Sequence, residues 1–156
     1  MQNRHLFIIL ALAMLTLYSC NSRKIYSQYE HVEASGWEKA DTIWYVVPPV
    51  SKSGTYREEL GLRSNGHFPY QELTIEIRQI IWPKGEQQFY RINCPLFENN
   101  GKAKGSGISL YQNEFLISDI QLNKGDSLRI AVIHQMRRNQ IPGITDVGIS
   151  LSQQHP

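Results

Sequence analysis

Between residues 41 and 151 the chain alternates apolar and polar positions with the two-residue period of a half-buried strand. Thr42-Ile43-Trp44-Tyr45-Val46-Val47 is β-branched and aromatic, and Pro48-Pro49 stops it. Tyr56, Leu60 and Leu62 alternate with Arg57, Glu59 and Arg63; Leu73, Ile75 and Ile77 alternate with Thr74, Glu76 and Arg78. The phase slips at Gln79-Ile80-Ile81-Trp82, which predicts a bulge or a doubly covered strand end. Pro83-Lys84-Gly85 is a turn, Tyr90, Ile92 and Cys94 form another inward set, and Phe115 to Leu122 reads as a strand. After the hairpin turn Asn123-Lys124-Gly125-Asp126, the residues Leu128, Ile130, Val132, His134 and Met136 share one face, and Val147, Ile149 and Leu151 close the pattern. About eight short strands follow, with no convincing helical periodicity after residue 20. Strands with one apolar face each bury it by pairing two sheets. The fold class is therefore all-β: a two-sheet antiparallel β-sandwich, jelly-roll or immunoglobulin-like.

The start of the chain is patterned differently. Met1 to His5 carries one fixed positive charge, and an unbroken apolar run extends from Leu6 to Leu17. As a helix those 12 residues would reach about 18 Å, well short of the roughly 30 Å hydrocarbon core of a bilayer. A positive head, an apolar stretch and a small residue before a cut describe a secretory signal peptide. Leu17-Tyr18-Ser19-Cys20 ends it in the form of a bacterial lipobox. The thiol is needed there to accept a diacylglyceryl group, and two or more acyl chains give stable anchoring. The expected organisation is a signal peptide with its signal helix at 1–19, a lipidated N-terminus and tether at 20–40, and a sandwich domain at 41–156. The alternative is a plain signal peptide with an incidental Cys20.

Composition narrows the functional classes. Removing 1–19 leaves 137 of 156 residues, one ordinary domain, and loss of Arg4 takes the formal charge from +2 to +1. A near-neutral chain whose only basic pairs are Arg23-Lys24 and Arg137-Arg138 lacks the clustered charge that nucleic acid requires. With Cys20 acylated, Cys94 has no partner in the chain and reads as a small buried apolar residue. No CxxC, HExxH, GxSxG or Ser-Lys arrangement is present, and the histidines are scattered singly, so no catalytic residue, metal or cofactor is expected. Glu58 and Glu59 are adjacent, so on a strand they face opposite ways and cannot work as an acid/base pair. The glycine-rich stretch 99–107 lacks the GK[ST] ending of a phosphate loop. Trp37, Trp44, Trp82, Tyr56, Tyr70 and Tyr111 are candidates for an exposed platform, or for filling the core and its rim.

One set of residues carries a family resemblance. His134-Gln135-Met136-Arg137 followed by Ile141-Pro142-Gly143-Ile144-Thr145-Asp146-Val147-Gly148-Ile149 resembles the C-terminal signature of the GldH gliding-motility lipoproteins of Bacteroidota. Trp37-Glu38-Lys39-Ala40-Asp41 is similar to that family's tryptophan before its first strand. Arg63-Ser64-Asn65 with Phe68-Pro69-Tyr70 and Leu73 is similar to its Arg…Asn…Tyr-Pro-Tyr…Leu stretch, with Phe68 in place of the first tyrosine. Gly105-Ser106-Gly107 stands at its glycine-containing loop. The resemblance implies a non-catalytic cell-envelope lipoprotein associated with gliding and type IX secretion machinery, with envelope proteins as partners, a membrane held through lipid, and no small-molecule substrate. The motif residues Trp37, Pro69, Tyr70, His134, Met136, Arg137, Gly143, Asp146 and Gly148 are then structural or partner-binding. Physically, His134 reads as a hydrogen-bonded core-edge histidine, Pro142-Gly143 as a turn, Asp146 as a cap of that turn, and Gly148 as a point of close approach. Asn21 after the cysteine, and the absence of an acidic cluster in 21–25, favour the periplasmic leaflet of the outer membrane. A carbohydrate-binding sandwich lipoprotein is the competing expectation.

Overall fold

The computed structural model describes residues 24–154. The expected signal peptide and Cys20 lie outside the described residues. Ten strands run in the order β1 (Lys24–His31), β2 (Trp37–Glu38), β3 (Ile43–Val47), β4 (Gly54–Asn65), β5 (Glu72–Trp82), β6 (Glu86–Pro95), β7 (Leu110–Leu122), β8 (Ser127–His134), β9 (Gln140–Ile141) and β10 (Ile144–Gln153). Two four-stranded antiparallel sheets, β1-β10-β4-β7 and β3-β8-β5-β6, face each other, and β2-β9 forms a small ribbon. The pairing is nested: β1 with β10, β2 with β9, β3 with β8, β4 with β7, β5 with β6. This is one long hairpin rolled up on itself, the logic of a jelly roll, and it decides between the two sandwich types left open by the sequence.

The inward set of every long strand meets in one core. Tyr45, Tyr56, Leu60, Leu62, Leu73, Ile75, Ile77, Ile81, Leu128, Ile130, Val147, Ile149 and Leu151 are all buried there. The Tyr45 hydroxyl donates to the Val147 carbonyl at 2.7 Å, so the one polar atom of that ring is satisfied inside the sandwich.

Two expectations need correction. Residues 24–40 are not a tether: β1 pairs along β10 from Lys24↔Ser152 to His31↔Asp146, and β2 pairs with β9. The folded domain thus takes in the chain from Lys24, not only from residue 41. The sequence pattern does not reveal this strand because β1 lies at a sheet edge, where exposed Ser27 and Gln28 break the apolar alternation. Nor does β5 slip. Its pairing with β6 and β8 runs without a register shift through Ile81. The alternation simply continues, placing polar Gln79 in the core and apolar Ile80 and Trp82 outside.

The registers define two ends. The lower end gathers Lys24, the 48–53 connection, the β5–β6 turn and the β7–β8 turn: Ser152 pairs with both Lys24 and Arg57, Gly54 with Leu122, and Trp82 with Ser127. The upper end carries Trp37, Phe68, Leu96, His134 and Gly143, together with the 98–109 loop.

Candidate interaction face

The outer face of the β3-β8-β5-β6 sheet can be laid out from its registers. One row across the strands is Trp44, Ala131, Arg78 and Phe89; the row below it is Val46, Arg129, Ile80 and Gln87; Trp82 lies lower still, opposite Ser127. Above them Ile133, Glu76 and Arg91 form a third row. Five large apolar side chains on this face stand in solvent: Trp44 (54%), Val46 (65%), Ile80 (38%), Trp82 (66%) and Phe89 (57%). Scattered exposed apolar residues are ordinary, but a contiguous set on one sheet face marks an interaction surface.

The face has relief. Ala131 is small and sits between Trp44 and Phe89, whose backbones are three strand spacings apart, about 14 Å. The result is a trough of about 340 Å³ walled by Trp44 and Phe89 and floored by Ala131 and Arg78. A second hollow of about 530 Å³ opens toward the lower rim between Val46, Ile80 and Trp82, and Arg129 stands between the two. The Arg129 guanidinium lies 5.0 Å from the Trp44 ring centroid, a cation–π contact that holds the indole upright as a wall. Glu76 is buried under Arg78 and Arg91 and ion-pairs with both. In these three rows three arginines stand against one carboxylate, which leaves this part of the face positive, and aromatic residues and arginine are enriched at protein interfaces.

The six aromatics singled out from sequence therefore divide. Trp37 and Tyr56 are core, Trp44 and Trp82 belong to this face, and Tyr70 and Tyr111 join an upper-end cluster with Phe68 and Phe97 whose ring centroids lie 5.8 to 6.2 Å apart. Val46, Ile80, Phe89, Arg78 and Arg129 are not evident from sequence reasoning. The signal that could have found them is the apolar side chain at an out-facing position of an unslipped strand.

The motif residues serve mostly to close the upper end of the roll. Trp37 is buried, donates its indole N–H to the Asp41 carbonyl at 2.9 Å, and meets the His134 ring edge-to-face at 5.2 Å. His134 is deeper than expected: it is fully buried, with the backbone of Asn139 and Trp37 close to its ring but no group among the described residues in good hydrogen-bonding geometry with either nitrogen. Burial lowers its pKa below the ordinary histidine value, against a smaller opposing pull from the backbone at Asn139 and Trp37. Met136 packs on the edge of the core and its carbonyl accepts from the Lys39 ammonium at 3.1 Å, while Arg137 and Pro69 are exposed. Gly143 turns the chain between β9 and β10 at φ +84°, and its carbonyl accepts from the Asn65 N–H at 2.8 Å. A Cβ there would strike the Phe68 backbone. Asp146 does not cap that turn. It lies on β10, accepts from the Thr145 hydroxyl at 2.8 Å, and pairs with His31 at 3.5 Å and Arg63 at 4.0 Å. Gly148 and Gly61, paired across β10 and β4, seat the Tyr29 ring of the edge strand, on which Arg63 stacks at 4.3 Å.

Two buried groups complete the inventory. Cys94 is fully buried and burial pushes its thiol up to about 12, which leaves it unreactive. Glu58 points inward, fully buried, and burial raises its carboxyl to about 7. Ser118 donates to its Oε2 at 3.3 Å and the Gln79 amide faces it from the opposite sheet, yet Glu58 Oε1 and Gln79 Oε1 are both without a donor. Among the described residues no group of three His, Cys, Asp or Glu is placed to hold a metal ion.

The model of the GldH lipoprotein family matches residues 24–151, which spans both sheets and the ribbon. The chain belongs to the GldH lipoprotein family. It is similar to the gliding motility lipoprotein GldH of Flavobacterium johnsoniae, with 24% identity over 93% of this chain and 94% of that one. The matched region starts at the first residue of β1, so the edge strand belongs to the family's domain rather than to a leader. Among solved structures, the Cry4Aa toxin of Bacillus thuringiensis overlaps 86% of this chain and 22% of its own, with a TM-score of 0.48 and 8% identity. A family 35 carbohydrate binding module from Clostridium thermocellum overlaps 83% of this chain and 90% of its own, with a TM-score of 0.36 and 12% identity.

Proposed function

We propose that this gliding-motility-family lipoprotein is a non-catalytic docking component of the gliding and type IX secretion apparatus. In this reading the chain is cut before Cys20, acylated there, and held on the periplasmic leaflet of the outer membrane. The outer face of the β3-β8-β5-β6 sheet is where an envelope protein docks. The observation that carries the reading is the positive aromatic trough between Trp44 and Phe89 on an otherwise unpartnered sheet. Lipid anchoring confines the chain to a surface, so a partner in the same membrane meets it at a raised effective concentration, and a moderate contact suffices. The trough offers a partner two aromatic walls to insert between and Arg78 and Arg129 to pair with.

The test uses full-length protein extracted from its own membranes in mild detergent. Envelope components of the secretion apparatus should co-purify with it, and Phe89→Glu, which removes one wall of the trough at a position 57% exposed, should abolish that recovery and shift the melting temperature little. Secretion and spreading should fail in the same strain. Repeated pull-downs that recover only the chain itself would refute the reading. Glycan capture is the second reading, favoured by the exposure of Trp44 and Trp82 and by Gln87 and Gln88 beside the trough. Binding on a glycan array, lost in Trp44→Ala, would select it.

A further inference from the structure

We propose that the lower end of the jelly roll is a second membrane contact, with Trp82 and Val46 entering the headgroup region of the bilayer that holds the lipid on Cys20. The inference rests on the acylation of Cys20 set out above. Only residues 21–23 separate Cys20 from Lys24, and four residues of chain reach at most about 14 Å. Lys24 begins β1 at the lower end, and β1 runs beside β3 where the two sheets meet. Acyl chains on Cys20 therefore hold that end against the bilayer; the upper end, where β8 finishes seven residues beyond Ser127, stands about 23 Å higher.

What the lower end presents is suited to a lipid surface. Trp82 and Val46 are the two most exposed large apolar side chains of the sheet face; Trp82 lies at its lower rim beside the turn 83–85, and Val46 stands one row above it across the hollow they share. Tryptophan is enriched at the headgroup level of membranes, where its ring is half apolar and its N–H stays wet. Lys52, Lys84 and Lys124 stand exposed on the three loops of that end. Lys84 pairs with the buried Asp126 at 2.8 Å, which ties the β5–β6 turn to the β7–β8 turn and fixes the end as one surface. Lysines around an exposed tryptophan fit the phosphate layer and the apolar layer beneath it.

The experiment uses the full-length acylated protein in vesicles of phosphatidylethanolamine and phosphatidylglycerol containing lipids brominated near the glycerol. The chain has three tryptophans, at graded heights: Trp82 at the rim, Trp44 about 13 Å above it, and buried Trp37 at the upper end. Bromine should quench wild-type emission, Trp82→Phe should lose more than half of that quenching, and Trp44→Phe should keep nearly all of it. Protein that carries acyl mass on Cys20 and floats with the vesicles, yet is unquenched or is quenched equally in Trp82→Phe, overturns the second contact and leaves the anchor standing. Absence of acyl mass on Cys20 overturns both. Shielding of Trp82 from acrylamide that grows with protein concentration in lipid-free micelles would assign the surface to a second copy of the chain, and also overturns it.

Discussion

Glu58→Gln should stabilise the protein at alkaline pH and leave it unchanged in acid. Glu58 is fully buried between the sheets, and burial raises its carboxyl from the ordinary 4.5 to about 7. The folded state then binds a proton more tightly than the unfolded state. The sign follows: stability from this group is complete below about pH 4.5, falls as pH rises toward 7, and is level above that. The difference between 4.5 and 7 corresponds to about 3 kcal/mol at 1.36 kcal/mol per tenfold change in proton affinity. The amide introduced by Glu58→Gln keeps the shape, cannot ionise, and offers Gln79 Oε1 at every pH the donor that the Glu58 carboxyl offers only when protonated.

Urea unfolding of the purified full-length chain in detergent, run for both proteins from pH 4 to pH 9, reads this directly. The two midpoints should coincide near pH 4 and separate through pH 5–7. By pH 8 the variant should be ahead by about 3 kcal/mol, roughly 10 °C in melting temperature for a domain of this size. Parallel curves, or a variant less stable at pH 8, would show that Glu58 is compensated as an anion and would refute the reasoning. Glu58→Ala is the contrasting control: it removes the charge but opens a hole, so its gain at pH 8 is reduced by the lost packing.

Other outcomes are expected from the same structure. Gly148→Val should cost about 1–3 kcal/mol by overpacking, since its side chain occupies the seat of the Tyr29 ring; measured by urea unfolding, most of that cost should vanish in a Tyr29→Ala background. Trp37→Ala should cost about 3–5 kcal/mol, because a buried ring and its bond to the Asp41 carbonyl go together, and Trp37→Phe should recover most of it. Cys94 should resist iodoacetamide at pH 8 in the folded protein and react in urea, as read by intact mass, because burial and a pKa of about 12 leave roughly one thiolate in ten thousand.

The strand pattern is legible wherever burial and polarity agree. It fails at two positions where they are exchanged. Reading Gln79 as outward and Ile80 as inward is the natural choice from a single strand, because a polar residue alone in a core is costly. The structure tolerates the opposite choice because the Gln79 amide N–H donates to Gln88 Oε1 at 2.9 Å, and the group it faces across the sandwich, Glu58 at the matching inward position of β4, is polar as well. That match joins residues more than twenty positions apart through the facing of two sheets, and no local pattern carries it. The same inversion hides half of the interaction face: once Gln79 is inside, Ile80 and Trp82 are outside, beside Val46 and Arg129 of strands distant in sequence. β1 escapes the pattern for a different reason. An edge strand buries little of either face, and only the glycine seats for Tyr29, located on β4 and β10, explain why Lys24–His31 is held.

The residues that carry the family likeness and the residues that offer a surface are largely different sets. Trp37, His134, Gly143 and Gly148 are buried or tightly packed against neighbours, so substituting them acts first on the fold. A loss of motility from such a variant would report instability and would not locate a partner. Trp44, Phe89 and Arg129 are the opposite case: they stand exposed on the outer face of a sheet whose core face is complete, and altering them leaves the core packing untouched. The rolled hairpin enforces this separation. Its corners at the upper end need ring-on-ring and glycine-on-backbone contacts to turn the chain. Its second sheet needs nothing on its outer face, so apolar side chains that stand there in water lower the solubility of the chain and raise no internal stability. In the docking proposed above, the partner that covers this face is what accounts for it.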